Sequence, residues 1–221
     1  MRVAIIGDSF VETYKNSWVE TVCTELNLEV VYHVGYGGHS QYKVYKSFLK
    51  ALSFNPDLIC YVFPDYSRLY NENYAINWHS VNMGHIKNSD VLIASKSYYE
   101  QLYSDDFART VDKLLINDVQ EQCKKRNIKL VNIPAMSHNH VEKNYGLWIT
   151  VEGGLFELCV LDFQKTEGKN LFKVNFKDNR INHFSPNGHQ IIAQAIIPLI
   201  KSYIQSDQEF QNNILSLELF A

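Results

Sequence analysis

The chain of 221 residues has little surplus charge of either sign, with 21 Lys and Arg against 24 Asp and Glu. A nucleic-acid backbone or an anionic membrane surface is bound by clustered cations, so the balance argues against both as partners. Long hydrophobic runs are missing as well. No apolar stretch approaches the roughly 20 residues of a membrane span, and MRVAII passes straight into Gly7-Asp8-Ser9 without the apolar segment of a secretory signal. A cytoplasmic protein is expected. The cysteines, Cys23, Cys60, Cys123 and Cys159, form no C-x-x-C pair, which argues against a zinc knuckle or a redox motif and for reduced, buried thiols. There is no internal repeat, low-complexity segment or linker, so residues 1–221 read as one domain.

What is present alternates in period. Three apolar runs, RVAII before Gly7, EVVYHV before Gly35 and DLICYVF before Pro64, have the length and the turn-forming ends of strands. Between them, Ser17 to Leu26 places Trp18, Val22 and Leu26 on one helical face, and Tyr42 to Leu52 does the same with Tyr45, Phe48, Leu49 and Leu52. One long helix is predicted over about Ser95 to Lys125, then a fourth strand, KLVNI, ending at Pro134. A last helix begins at Pro186, with the proline in its first turn. Parallel strands need crossovers and these crossovers are helical, so the expected fold class is α/β, a three-layer α/β/α sandwich around a parallel sheet. Residues 70–90 could form an insertion near the site. The tail 206–221 contains ILSLELF, too apolar for water, and should pack on this domain or on a second copy, which leaves a homo-oligomer open.

In such sheets, chemistry collects outside the carboxyl ends of the strands. Ser9 stands there, directly after the first strand, where a tight turn would expose its hydroxyl and aim its own N–H at a developing oxyanion. Gly-Asp-Ser is equally good turn chemistry, and Ser9 could simply cap a helix. Gly35-Tyr36-Gly37-Gly38 follows the second strand, and its glycines let a backbone N–H approach a ligand, or merely make a flexible turn. No dinucleotide or P-loop glycine pattern is present. Near the end, Asn182-His183-Phe184-Ser185-Pro186-Asn187-Gly188-His189 puts His183 in a loop and His189 inside the helix. Their six-residue spacing is not that of an i, i+4 metal pair, and a loop imidazole titrating near neutrality suits the activation of a serine.

Together these blocks resemble the SGNH, or GDSL, hydrolases, over about residues 3 to 200. Gly7-Asp8-Ser9 is similar to the family's nucleophile block. His33 to Gly38 looks like its second block, which would make Gly38 a backbone oxyanion donor, and His183 with Gly188-His189 looks like its last. The resemblance implies a flavodoxin-like SGNH fold, Ser9 as nucleophile, His183 as general base, and a Ser-His(-Asp) acyl-enzyme mechanism without metal or organic cofactor. It implies a small-molecule or carbohydrate ester as substrate, such as a carbohydrate O-acetyl group. Two departures stand out. Phe63-Pro64-Asp65-Tyr66-Ser67-Arg68 replaces the family's G-x-N-D, so Tyr66, Ser67 or Arg68 could supply the missing donor, or the hole has two donors only. Arg180 replaces the aspartate three residues before the histidine, and Asp178 is the candidate third triad member, with Asn182 or a backbone carbonyl as alternatives. A non-catalytic binding or assembly protein on the same scaffold is the rival reading. His138 and His140, with no carboxylate at ligand spacing, read as surface residues, and the aromatic interval Tyr70 to His85 reads as a packed loop.

Overall fold

The computed structural model describes residues 1–12, 15–165 and 183–220. Among them, six strands form one sheet in the order β2-β1-β3-β4-β5-β6, and all five neighbouring pairs are parallel. They are β1 (Arg2–Gly7), β2 (Glu29–Gly35), β3 (Leu58–Phe63), β4 (Lys129–Pro134), β5 (Gly146–Thr150) and β6 (Phe210–Ile214). The helices are α1 (Trp18–Glu25), α2 (Gln41–Ala51), α3 (Trp78–Asn82), α4 (Ser89–Gln101), α5 (Asp105–Lys125), α6 (Leu155–Lys165) and α7 (Pro186–Gln205). The expected α/β/α arrangement is present. Alternation along β1 shows how it is built: Val3 and Ile5 join a core with α1, α6 and α7, while Ala4 and Ile6 join a second core with α2 and α5. Every residue of β3 is buried, as expected of a central strand covered on both faces.

The sequence expectation fails at three places. The long helix expected from Ser95 is two, because Ser104 caps a new start by accepting the Phe107 N–H, and Asp105 and Asp106 favour a helix N-terminus in the turn that follows. β5 was not anticipated: five residues opening on Gly146 give little period to read. The tail supplies β6, which the polar run Gln211-Asn212-Asn213 conceals, and then returns Leu215, Leu217 and Leu219 to the first core. Among the described residues, no helix is long and apolar enough to cross a membrane.

The start of α7 is anchored twice. Ser185 caps it by accepting the Gly188 N–H at 3.0 Å, and the buried Asp162 of α6 accepts both the Ser185 N–H at 2.5 Å and the Ser185 hydroxyl at 2.8 Å. One turn later, His189 Nδ1 accepts the Trp18 N–H at 3.2 Å, satisfying a donor in the first turn of α1 that has no helical partner. That bond needs a lone pair on Nδ1, so the ring is neutral. Burial, with the charge of nearby His183 adding to it, pulls the His189 pKa down from 6.5 to about 3. An unfolded histidine binds its proton near pH 6.5, whereas the folded one resists it until about pH 3. Stability is therefore lost as pH falls through that window, by up to about 1.4 kcal/mol per unit. Chemical denaturation at pH 7, 6, 5 and 4 should show a fall in stability that His189→Gln flattens, although the variant starts lower for want of the bond to Trp18. An equal slope in both proteins would show that another group controls acid sensitivity.

Candidate active site

Ser9 opens a single turn of 3-10 helix, Ser9–Val11, laid across the ends of β1 and β2. Two glycines make room for it. A Cβ on Gly35 would stand 2.6 Å from the Val11 carbonyl oxygen, and one on Gly7 would stand 2.9 Å from Val11 Cγ2 and from Val62 Cβ. The turn is tied along its length. The Asp8 carboxylate accepts the Phe10 N–H at 3.1 Å, the Trp18 indole N–H donates to the Phe10 carbonyl at 2.7 Å, and His33 Nε2 meets the Val11 carbonyl at 2.7 Å. A carbonyl only accepts, so His33 carries its proton on Nε2. Ser9 is thus set on a turn with a fixed path, and retains 6% exposure.

Gly38 lies on the neighbouring loop after β2. Its φ of +76° is the left-handed region, and a Cβ there would stand 2.1 Å from Ala75 Cβ, so a side chain is refused twice. Ala75 belongs to the segment Leu69 to Ile76, closed by an antiparallel bridge between its ends, which places the start of the insertion directly against the loop.

Arg68 joins the two loops. Its Nη1 donates to Asp8 Oδ2 at 2.7 Å and to the His39 carbonyl at 3.0 Å, so one guanidinium holds the residue before Ser9 and the residue after Gly38. Both partners of the pair are buried, with side-chain exposures of 7% for Arg68 and 0% for Asp8. An ionised carboxylate at such a place requires a partner of this kind. His39 beside it has its pKa lowered, by burial first and by Lys43 next, with Arg68 acting in the same direction and Asp8 against them.

His183 is 8% exposed and comes to the same region from the loop before α7, its ring stacked on Phe10 at 6.3 Å between centroids. The structure therefore sets Ser9, Gly38 and Arg68 about the carboxyl ends of β1, β2 and β3, and places the His183 ring on Phe10, the residue after Ser9. Asp178, Arg180 and Asn182 lie outside the described residues. At the end of β3, Tyr66 is turned toward α5: its hydroxyl donates to Asp105 Oδ1 at 3.1 Å, Arg109 lies over its ring at 5.1 Å, and its edge meets His140. Ser67 folds into an Asx turn, its N–H donating to Asp65 at 2.9 Å, and its carbonyl accepts from Tyr99.

A second polar cluster lies on the other face of the sheet. His138 and His140 are not surface residues, because Asp112 of α5 points inward beside them. Asp112 Oδ2 is 2.7 Å from His140 Nε2 and 3.4 Å from His138 Nε2, and His138 Nδ1 donates to the Met136 carbonyl at 2.9 Å. The signal was readable: Asp112 shares a helical face with the buried Ile116, Val119 and Cys123, and a carboxylate on an apolar face asks for a partner. Among the described residues, no group of three or more His, Cys, Asp or Glu is placed to hold a metal ion.

No protein-family model matches the chain, and none of the curated proteins matches it. Solved structures do resemble it. A provisionally assigned lipolytic protein of the G-D-S-L family from Desulfitobacterium hafniense is 12% identical with a TM-score of 0.48, over 90% of this chain and 98% of the other. A provisionally assigned acylhydrolase from Bacteroides fragilis is 16% identical with a TM-score of 0.32, over 59% of this chain and 46% of the other. A GDSL-like lipase from Bacteroides thetaiotaomicron is 15% identical, also with a TM-score of 0.32, over 62% and 51%. With TM-scores below 0.5, these likenesses assign neither an activity nor a residue role to this chain.

Proposed function

We propose that this chain is a serine hydrolase acting on ester bonds. The observation that supports the reading is the stacking of the His183 ring on Phe10, the residue next to Ser9 on the held turn at the end of β1. Ser9 Oγ attacks the ester carbonyl while His183 takes the hydroxyl proton. The N–H groups of Ser9 and Gly38 hold the oxyanion of the tetrahedral intermediate. Collapse expels the alcohol, which leaves with the proton from His183, and an acyl-Ser9 ester remains. Water then attacks that ester as His183 takes its proton, and a second collapse, with His183 passing that proton to Ser9 Oγ, releases the acid and restores Ser9. Asp178, proposed from the sequence alone, orients His183 and stabilises its cation. A small ester such as a carbohydrate O-acetyl group is the proposed substrate class, on the family resemblance.

Arg68 takes part by position. Its charge is largely cancelled by Asp8 at 2.7 Å, so its contribution is the fixed spacing of the Ser9 and Gly38 loops, from which both oxyanion donors come. Tyr66 is engaged with Asp105 and Ser67 in its turn, which favours a hole of two donors, Ser9 and Gly38, without a substitute for the family's asparagine.

The nucleophile is tested by hydrolysis of p-nitrophenyl acetate and by a fluorophosphonate probe. The wild-type chain should hydrolyse the ester and take up one probe, and Ser9→Ala should lose both. Hydrolysis unchanged by Ser9→Ala would remove the serine from the mechanism, and a wild-type chain inert in both assays would favour the binding-protein reading.

Arg68→Met should lower kcat/KM by about 100-fold, the scale of an ångström-sized misplacement of catalytic groups. It should also cost about 3–5 kcal/mol of stability, because Asp8 is left buried and uncompensated. Adding Asp8→Asn should recover much of that stability and little of the activity. A single variant as stable and as active as wild type would contradict the positioning role.

A further inference from the structure

We propose that β6 is a self-association edge, and that its partner is β6 of a second copy of this chain, paired antiparallel about a two-fold axis at Asn212. Among the described residues, β6 has a neighbour on one side only. Its main chain reaches β5 from odd-numbered residues: the Glu209 carbonyl accepts the Gly146 N–H at 2.8 Å, and the Leu215 N–H donates to the Thr150 carbonyl at 2.8 Å. Alternation along the strand then turns the N–H and C=O groups of Phe210, Asn212 and Ile214 outward, as a row of donors and acceptors that a further strand can pair.

The side chains choose the partner. The strand reads Phe-Gln-Asn-Asn-Ile and is close to palindromic in character about Asn212. In the antiparallel register that sets Asn212 against its own copy, Phe210 faces Ile214, Gln211 faces Asn213, and no charge faces a like charge. The facing pairs 210 with 214, 212 with 212 and 214 with 210 are the residues whose main-chain groups already point outward, so each becomes a hydrogen-bonded pair. Phe210 and Ile214 are 42% and 76% exposed in the single chain. Both lie on the sheet face of Asn212, whose amide oxygen accepts from Lys143, and pairing would bring two Phe-Ile contacts together there. A foreign strand would have no reason to match this symmetric pattern.

Edges that avoid association carry a charge or a proline, and Phe210 to Ile214 contains neither. The other edge strand, β2, opens on the charged Glu29, and Phe54 and Lys50 lie against the ring of its Tyr32. A pair of five-residue strands buries less than the about 800 Å² per partner of a standard interface, so the dimer is concentration-dependent and not obligate.

Sedimentation velocity from about 1 to on the order of 100 µM is the test. The wild-type chain should move from a 25.6 kDa monomer toward a dimer as concentration rises. Asn212→Pro deletes an outward N–H without touching a bond to β5, and Ile214→Lys places a charge opposite Phe210; both should remain monomeric at the highest concentration, with wild-type circular dichroism and thermal midpoint. Should the proline variant fold poorly, the lysine variant decides. A wild-type chain that stays monomeric throughout would overturn the proposal, and so would a dimer that the folded variants keep undiminished.

Discussion

Asp8 is a carboxylate with no exposed surface, and the arrangement around Ser9 depends on the cation that compensates it. Removing an unpaired carboxylate from water costs many kilocalories, so the chain must bring Arg68 to it or abandon the burial. Because Arg68 also donates to the His39 carbonyl, that single requirement ties together the ends of β1, β2 and β3, three segments far apart in sequence. Asp8 in turn holds the Phe10 N–H, and Phe10 carries the ring of His183. One buried charge thereby fixes the relative places of the proposed nucleophile and oxyanion loop, and holds the turn on which the ring of the proposed base stacks.

Layer order and strand polarity were legible because they rest on period: the runs before Gly7, Gly35 and Pro64 are apolar and end in turn-forming residues, and the segments between them are helical in spacing; that the second run takes the edge was not legible. The places of Ser9 and Gly38 followed from the same reading, since strand ends of a parallel sheet share an edge. Tertiary partnership was not legible. Arg68 was one of three candidate donors at the end of β3, and nothing local tells its partner from that of Tyr66: Asp105 takes the tyrosine hydroxyl, and Asp8, 60 residues earlier, takes the arginine. For His138 and His140 the sequence carried half of the signal, a carboxylate on the apolar face of α5, without saying which groups it would meet. Their carboxylate is 28 residues before His140 in sequence, on the inner face of a helix that also carries exposed Phe107 and Leu114.

The two faces of the sheet put their polar groups to different uses. On one, α7 is set by Asp162 through Ser185 and by His189 through Trp18, so the loop delivering His183 is attached to α6 and to α1 rather than left to its own preferences. On the other, Asp112 draws in His138 and His140 beneath Tyr66 and fills the end of the second core with polar contacts. The insertion is anchored between them, by Ala75 against Gly38 and by Tyr99 against the Ser67 and Ile76 carbonyls, which gives the candidate site a defined wall.

The most direct measurement of the central claim is a crystal structure of the chain after reaction with a small alkyl fluorophosphonate, which leaves a stable tetrahedral analogue of the proposed intermediate. The account predicts phosphorus bonded to Ser9 Oγ, the phosphonyl oxygen about 2.7–3.1 Å from the N–H groups of Ser9 and Gly38, and a ring nitrogen of His183 facing the leaving-group side. Phosphorus on any other residue, or a phosphonyl oxygen turned away from the Gly38 loop, would contradict it.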